Sequence, residues 1–348
     1  MKAAVMQDDG TLGVQDVPEP PEPGPSQVKV KIAYCGICGS ELHMFDPEFI
    51  SRGPLFRPRP GQQPPPRRMG PRIMGHEASG VVAAVGSEVK GIEVGQRVAM
   101  NFRSPCGTCY YCRNKLEHFC QRVIPASGSY AEYALYHANA VYALPDNISL
   151  EVGALLEPVS VAVHTVDLAD IYPGCSVAIL GAGPIGIMVQ EVALKAGAAK
   201  VLVSEPVASR REMAKQLGAT IVVDPLNENL EEVGKKLTEG RGFDRVIDAS
   251  GKLAVAKQAL ALADYGATVV WAAMYPRDAE VGVPPSHMYD KELTIKGVFI
   301  SPYCFPRSVN LLSELELEPL ISIRPIEEIN EAFHDLLAGK GMKVLIKP

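Results

Sequence analysis

Residues 175–205 read CSVAILGAGPIGIMVQEVALKAGAAKVLVSE, and the fold is decided here. An apolar, β-branched run at 177–180 meets the turn Gly181-Ala-Gly-Pro-Ile-Gly186; a helical segment follows, and a second apolar run at 201–203 ends on Glu205. That is a strand, a glycine turn, a helix and a strand. Gly181 suits a tight turn, Gly183 lets the backbone approach a pyrophosphate, and Gly186 lets the helix pack on the strand. The helix opens at Pro184 and Ile185, and free amides at such a start attract phosphate. Glu205, about 20 residues beyond the glycines, is placed to hydrogen-bond an adenosine ribose. A glycine-rich turn alone occurs often without a ligand. With both strands, the helix and the acid present, the stretch reads as a dinucleotide site.

The same rhythm runs on. Helical 208–217, strand 220–223, helix 230–238, strand 243–249, helix 253–263 and strand 267–273 alternate, which implies a doubly wound parallel sheet of the α/β class. Before the fingerprint the pattern differs. Residues 1–27 carry a proline-rich lead-in, 28–32 alternate as a half-buried strand, and 73–100 alternate short β-branched runs with glycine turns, as a small β domain would. Residues 46–72 hold eight prolines and six arginines and read as a long loop, either solvated or covering substrate. After residue 290 a strand at 293–300, helices at 308–317 and 327–338 and a strand at 342–346 are expected.

Bulk properties narrow the class. A chain of 348 residues exceeds what one core usually holds, so two domains are expected. Hydrophobic residues at 47% and charged residues at 21% describe an ordinary globular protein. A net charge of -6 with no long basic run argues against nucleic acid as a partner. Neither a secretory signal nor a membrane span is visible, so a cytoplasmic protein with no membrane partner is expected.

The eight cysteines are clustered. Cys106, Cys109, Cys112 and Cys120 have the spacing C-x2-C-x2-C-x7-C, and four thiolates so close in sequence can surround one tetrahedral Zn²⁺. Four protein ligands leave no open position, so this zinc would be structural. An iron–sulfur cluster is a weaker rival, since nothing else suggests electron transfer. Cys38, the pair His76-Glu77 and Glu157 form a dispersed second set. Three protein ligands with a fourth position for water or substrate would make a catalytic zinc. Read singly, each has a plainer explanation: a buried hydrophobe, a core histidine, an acid in a first helical turn.

GICGSELH, GHEASGVV, the four-cysteine lobe, LLEPVSVAVH, GAGPIG and DASG follow one another in this order. Together they resemble the zinc-containing medium-chain dehydrogenases over essentially the whole chain. The combination of GHE with LLEPVSVAVH is closer to their polyol branch, the sorbitol, threonine and butanediol dehydrogenases, than to animal alcohol dehydrogenase. The resemblance implies a GroES-like β-rich catalytic domain over 1–158 and 295–348, with the zinc lobe at 106–120, and a Rossmann NAD-binding domain over 159–294. It further implies Cys38 and His76 as catalytic zinc ligands, with Glu77 and Glu157 sharing the remaining protein positions directly or through a water. Ser40 and His43 match the family's proton relay. Two zinc ions per chain and a homodimer or homotetramer are implied as well.

An alcohol is a poor hydride donor until it loses its proton, and Zn²⁺ lowers the pKa of a bound hydroxyl by several units. The expected reaction is therefore hydride transfer between a secondary alcohol, diol or polyol and NAD. Glu205 favours NAD because a carboxylate repels a 2′-phosphate; Arg210 resembles an adenine or ribose contact, and with Arg211 it could instead hold a phosphate. Sorbitol dehydrogenases look to carry an arginine after GVF, where this chain has Ile300, and residues 53–58, GPLFRP, resemble a loop of butanediol dehydrogenases. Met44, Phe45 and Phe299 are candidate pocket residues. An L-threonine 3-dehydrogenase and a catalytically silent NAD-binding protein remain the alternatives.

Overall fold

The computed structural model describes residues 1–7, 10–43, 71–126, 128–276 and 278–348. The readings made on Met44, Phe45, residues 53–58 and nearly all of the 46–72 loop lie outside these residues. The chain divides into two compact units, Met1–Ser160 with Pro302–Pro348, and Val161–Ser301. Among the described residues no helix is long and apolar enough to cross a membrane.

In the second unit the apolar run after Cys175 becomes the strand Ser176–Leu180, buried at every position. Such a run suits a parallel strand covered on both faces. Among the described residues six strands form one all-parallel sheet: Ile221–Val223, Lys200–Ser204, Ser176–Leu180, Phe243–Asp248, Ala263–Trp271 and Thr294–Gly297, in that spatial order. The order reverses between Ser176–Leu180 and Phe243–Asp248. In open α/β sheets ligands bind at such a switch point, beyond the carboxyl ends of the strands, and the glycine turn leaves from this one. The doubly wound sheet expected from the alternation is present.

The first unit is built on the ten-residue strand Gln27–Gly36. It pairs antiparallel with Glu77–Val85 along its length, with Tyr133–His137 near its start and with Lys343–Lys347 at its end. Arg97–Met100 and Val141–Ala143 extend the sheet on one side and Ile321–Pro325 on the other. Val28, Val30, Ile32, Tyr130, Tyr136, Phe333 and Ile346 meet in its core.

Three local expectations change. The lead-in at 1–27 contains an unforeseen hairpin, Lys2–Met6 paired with Leu12–Asp16. The helix expected over 308–317 starts sooner, at Phe305–Leu311, because Pro306 fits its first turn, where no N–H is needed. It then tightens to a 3₁₀ turn at Leu312–Glu314 and ends where Leu315 turns extended. The strand expected over 293–300 stops at Gly297, and Ile300 takes a left-handed φ of 56°.

The register of the long strand has one consequence for the site. Gly36 stands opposite Glu77, and Leu345 also pairs with Gly36, so the last strand brings Lys343 to Glu77. The Lys343 ammonium donates to both carboxylate oxygens of Glu77, at 2.8 and 2.7 Å, and to the Ile37 carbonyl at 3.1 Å. Both side chains are buried, 4% and 2% exposed. A side chain at position 36 would strike the Glu77 carboxylate, which is why glycine stands there. Removing one partner of a buried ion pair leaves an uncompensated charge and costs about 3–5 kcal/mol. Lys343→Met is therefore expected to lower the unfolding free energy by about that much in denaturant titration, and a change under 1 kcal/mol would show the pair to be dispensable.

Candidate functional site

Each residue of the dispersed ligand set enters from the end of an element of the first unit. Cys38 caps the short helix Gly39–Leu42. His76 immediately precedes the strand that Glu77 begins. Glu157 lies in the first turn of the helix Leu156–Ala169. Donor atoms of Cys38, His76 and Glu77 lie within 4.8 Å of one another. Glu157 is not in that set, but it is buried and close enough to feel the charges of His76 and Glu77. Burial pushes its carboxyl up to about 7; His76 opposes the shift and Glu77 adds to it.

Ser40, half-buried on the same short helix, donates to Cys38 Sγ at 3.3 Å. His43 is that helix's C-terminal cap. One residue of GICGSELH that the sequence reading passed over proves central. Glu41 is 3% exposed, and its carboxylate accepts from the Gly75 amide at 2.9 Å, the Cys38 amide at 3.2 Å and the Tyr130 hydroxyl at 2.6 Å. His76 Nδ1 is 3.3 Å from the same carboxylate. Burial alone would raise the Glu41 pKa, but His76, Tyr130 and the Cys38 amide hold it below its ordinary value. Burial likewise opposes a proton on His76, yet Glu41 and Cys38 outweigh it and hold the imidazole pKa well above normal. The negative field that favours a proton here would equally favour a metal cation. With Nδ1 turned to a carboxylate, Nε2 is the nitrogen left to bind one, an arrangement usual for metal-ligating histidines. An acid one residue past Ser40 was the available signal, but only the fold brings it to His76.

The four lobe cysteines also converge, and all are free thiols. Cys109 Sγ lies 3.5 Å from Cys112 Sγ and 3.9 Å from Cys120 Sγ. A tetrahedron with Zn–S bonds of about 2.3 Å has edges of about 3.8 Å, so the spacing fits zinc. Backbone amides of Cys106 and Arg122 point at Cys120 Sγ, at 3.3 and 3.4 Å. Burial works against ionisation of Cys106, but the amides of Thr108 and Cys109 bring its thiol down to about 5. Burial and the neighbouring sulfurs push Cys112 up to about 12. Tyr303 holds the lobe from the returning chain: its amide donates to Glu117 at 2.8 Å and its hydroxyl to the Cys112 carbonyl at 3.3 Å.

In the second unit Gly181 takes a φ of 106°. A Cβ on Gly186 would run into the Gly181 carbonyl, whereas one on Gly183 would meet nothing within 4 Å. The turn is thus close-packed at its third glycine and open at its second, the side a pyrophosphate approaches. The helix Pro184–Lys195 starts at Gly183 with no side-chain cap, and Pro184 and Ile185 stand in its first turn. Glu205 is buried; one carboxylate oxygen accepts from the Ala182 amide at 2.8 Å and the other from the Val207 amide at 3.0 Å. It therefore braces the glycine turn, and each oxygen keeps a second lone pair for a ribose hydroxyl. Arg210 lies in the next helix, Ala208–Gln216.

Residues 24–146 match the alcohol dehydrogenase GroES-like domain and residues 184–314 the zinc-binding dehydrogenase domain. The sheep (Ovis aries) sorbitol dehydrogenase is 32% identical over 99% of this chain and 95% of its own. A D-xylulose reductase A of Aspergillus oryzae is 33% identical over 95% of this chain and 92% of its own. This chain belongs to the zinc-binding alcohol dehydrogenases. Among solved structures, a Sinorhizobium meliloti chain assigned as a zinc-binding dehydrogenase and bound to NADP superposes with a TM-score of 0.89 at 31% identity, over 100% of this chain and 99% of its own. These matches agree with the family and fold class read from the motifs. As a zinc-binding dehydrogenase the protein is an oxidoreductase, and zinc and NAD(P) are the cofactors expected of its family.

Two outcomes follow from the geometry. Glu41→Gln should weaken zinc binding at the Cys38 site about 10- to 100-fold, the range for lost carboxylate partners of ligand histidines, measured by competition with a chelator; unchanged affinity would remove Glu41 from the site. Cys112→Ser should release the lobe zinc and lower Tm, while the second zinc remains countable by elemental analysis.

Proposed function

We propose that this protein is a zinc-dependent dehydrogenase that exchanges a hydride between a secondary alcohol, diol or polyol and NAD. The observation that carries the proposal is the convergence of Cys38, His76 and Glu77 in a chain that also holds a braced dinucleotide turn. The relatives named for sorbitol and D-xylulose support a polyol substrate. When bound, zinc makes an alcohol more acidic and a carbonyl more electrophilic, and the nicotinamide takes or gives the hydride.

In this reading the chain's own groups do the following. Cys38, His76 and Glu77 would hold the metal, and Glu157 would share the remaining protein position directly or through a water. Glu41 fixes the His76 ring. Lys343 neutralises Glu77, so that two neighbouring acids do not repel one another unopposed. Ser40, already at the sulfur of Cys38, takes the substrate proton and passes it toward His43. Gly181, Gly183, Pro184, Ile185 and Gly186 cradle the pyrophosphate, while Glu205 and Arg210 address the adenosine ribose. The lobe cysteines Cys106, Cys109, Cys112 and Cys120 hold a second, structural zinc. A homodimer or homotetramer, as the family resemblance implies, is part of the same proposal.

An NAD⁺ reduction screen over secondary alcohols, vicinal diols, sugar alcohols, inositols and threonine tests it, and turnover with a polyol or diol is expected. Cys38→Ala should abolish that turnover and lower the zinc count from about two to about one per chain, while NAD still binds. Turnover by the metal-free protein would defeat the proposal.

A further inference from the structure

The far edge of the parallel sheet carries a feature that the dinucleotide fingerprint does not require. The strands Lys200–Ser204 and Ile221–Val223 run side by side, with Ser204 opposite Val223. The Glu205 amide donates to the Val223 carbonyl at 3.1 Å, so Glu205 and Asp224 leave the sheet as neighbours. Arg211, in the helix Ala208–Gln216, is drawn back to this corner. Its Nη1 donates to the carbonyls of Glu205 at 2.7 Å and Pro206 at 2.6 Å. Its Nη2 lies 2.9 Å from Asp224 Oδ2, and the two side chains are only 18% and 16% exposed. Asp224 is itself fixed by its own turn, where it accepts from the Leu226 amide at 3.1 Å and the Asn227 amide group at 3.0 Å.

A guanidinium binds a 2′-phosphate best when it can offer two parallel N–H groups. Arg211 lies against the Glu205 backbone, and its nitrogens are turned to two carbonyls and a carboxylate. We infer that Asp224 is a positioning residue for cofactor choice: by anchoring Arg211 beneath the Glu205–Pro206 backbone, it withholds from the adenosine ribose a guanidinium that would pair with the 2′-phosphate of NADP. Glu205 then disfavours the phosphate by its own charge, and Asp224 does so indirectly, through Arg211. The two carboxylates thus act on selectivity separately. This inference rests on the dinucleotide reading of the glycine turn.

The test is calorimetric titration of NAD⁺ and NADP⁺ into the zinc-loaded wild type, Asp224→Asn, Arg211→Ala and the double variant, which reads binding independently of turnover. Asp224→Asn is expected to tighten NADP⁺ about tenfold as the freed guanidinium pairs with the phosphate, with NAD⁺ affinity changed less than about threefold because no NAD contact is lost. Arg211→Ala alone should give no such gain, and the double variant should lose the gain made by Asp224→Asn. A gain that persists in the double variant would mean that removing charge, not releasing Arg211, is responsible, and would overturn the inference. So would Asp224→Asn with unchanged NADP⁺ affinity. NAD⁺ binding by each variant reports its folding; if Asp224→Asn does not fold, Asp224→Ser takes its place on the same criteria. A wild type that binds neither dinucleotide overturns the cofactor reading together with this inference, whereas a wild type selecting NAD⁺ with no gain in the variants overturns the inference alone.

Discussion

Lys343 carries a positive charge to a place almost closed to solvent, and there its ammonium donates to both carboxylate oxygens of Glu77. The pair constrains much of the first unit. Glu77 must open its strand opposite Gly36, position 36 must be glycine, and the last strand must lie against the end of Gln27–Gly36. Once these are met, His76 is held one residue from an anchored acid, and Cys38 two residues from the glycine that admits it. The precision a metal site needs is therefore supplied by strand register, which shifts only in whole residues. Glu41 does from the helix side what Lys343 does from the strand side. It gathers the Cys38 amide, the Gly75 amide and the Tyr130 hydroxyl on one buried carboxylate.

The second unit solves a related problem with backbone rather than charge. Its glycine turn is fixed at one end by the collision that any side chain on Gly186 would make with the Gly181 carbonyl. At the other it is fixed by Glu205, whose two oxygens tie Ala182 and Val207 together. The turn is shaped before any ligand arrives, so binding need not spend free energy ordering it.

How much of this was legible in the sequence depended on the range over which each signal acts. The parallel sheet could be read because buried strands and intervening helices leave local periodicity, and the four-cysteine lobe because its ligands fall within one short window. Cys38, His76 and Glu77 were legible as residue types, and their convergence only through resemblance. Lys343 was invisible: 266 positions separate it from Glu77, and a lysine in a strand ordinarily faces water. Glu41 was passed over because an acid in a first helical turn needs no further explanation. The hairpin Lys2–Asp16 was lost in a reading dominated by the prolines that follow it, although Asp9-Gly10 between two apolar runs is a turn signal. The helix Phe305–Leu311 starts before the expected 308 because Pro306 is tolerated in a first turn, where no N–H is needed. The Arg211–Asp224 pair joins two elements whose adjacency follows only from strand order.

The distance between Lys343 and Glu77 along the chain also has a meaning in time. At about 5–20 residues per second of synthesis, the 266 positions between them correspond to a wait of roughly ten to fifty seconds on the ribosome. Throughout it Glu77 has no lysine to neutralise it, and the sheet that carries it lacks the strand at its side. The dinucleotide-type unit, Val161–Ser301, is made wholly within that interval. The corner that gathers Cys38, His76 and Glu77 is thus closed by a residue made long after them, and a nascent chain cut short before Lys343 would hold an unpaired acid beside these candidate ligands.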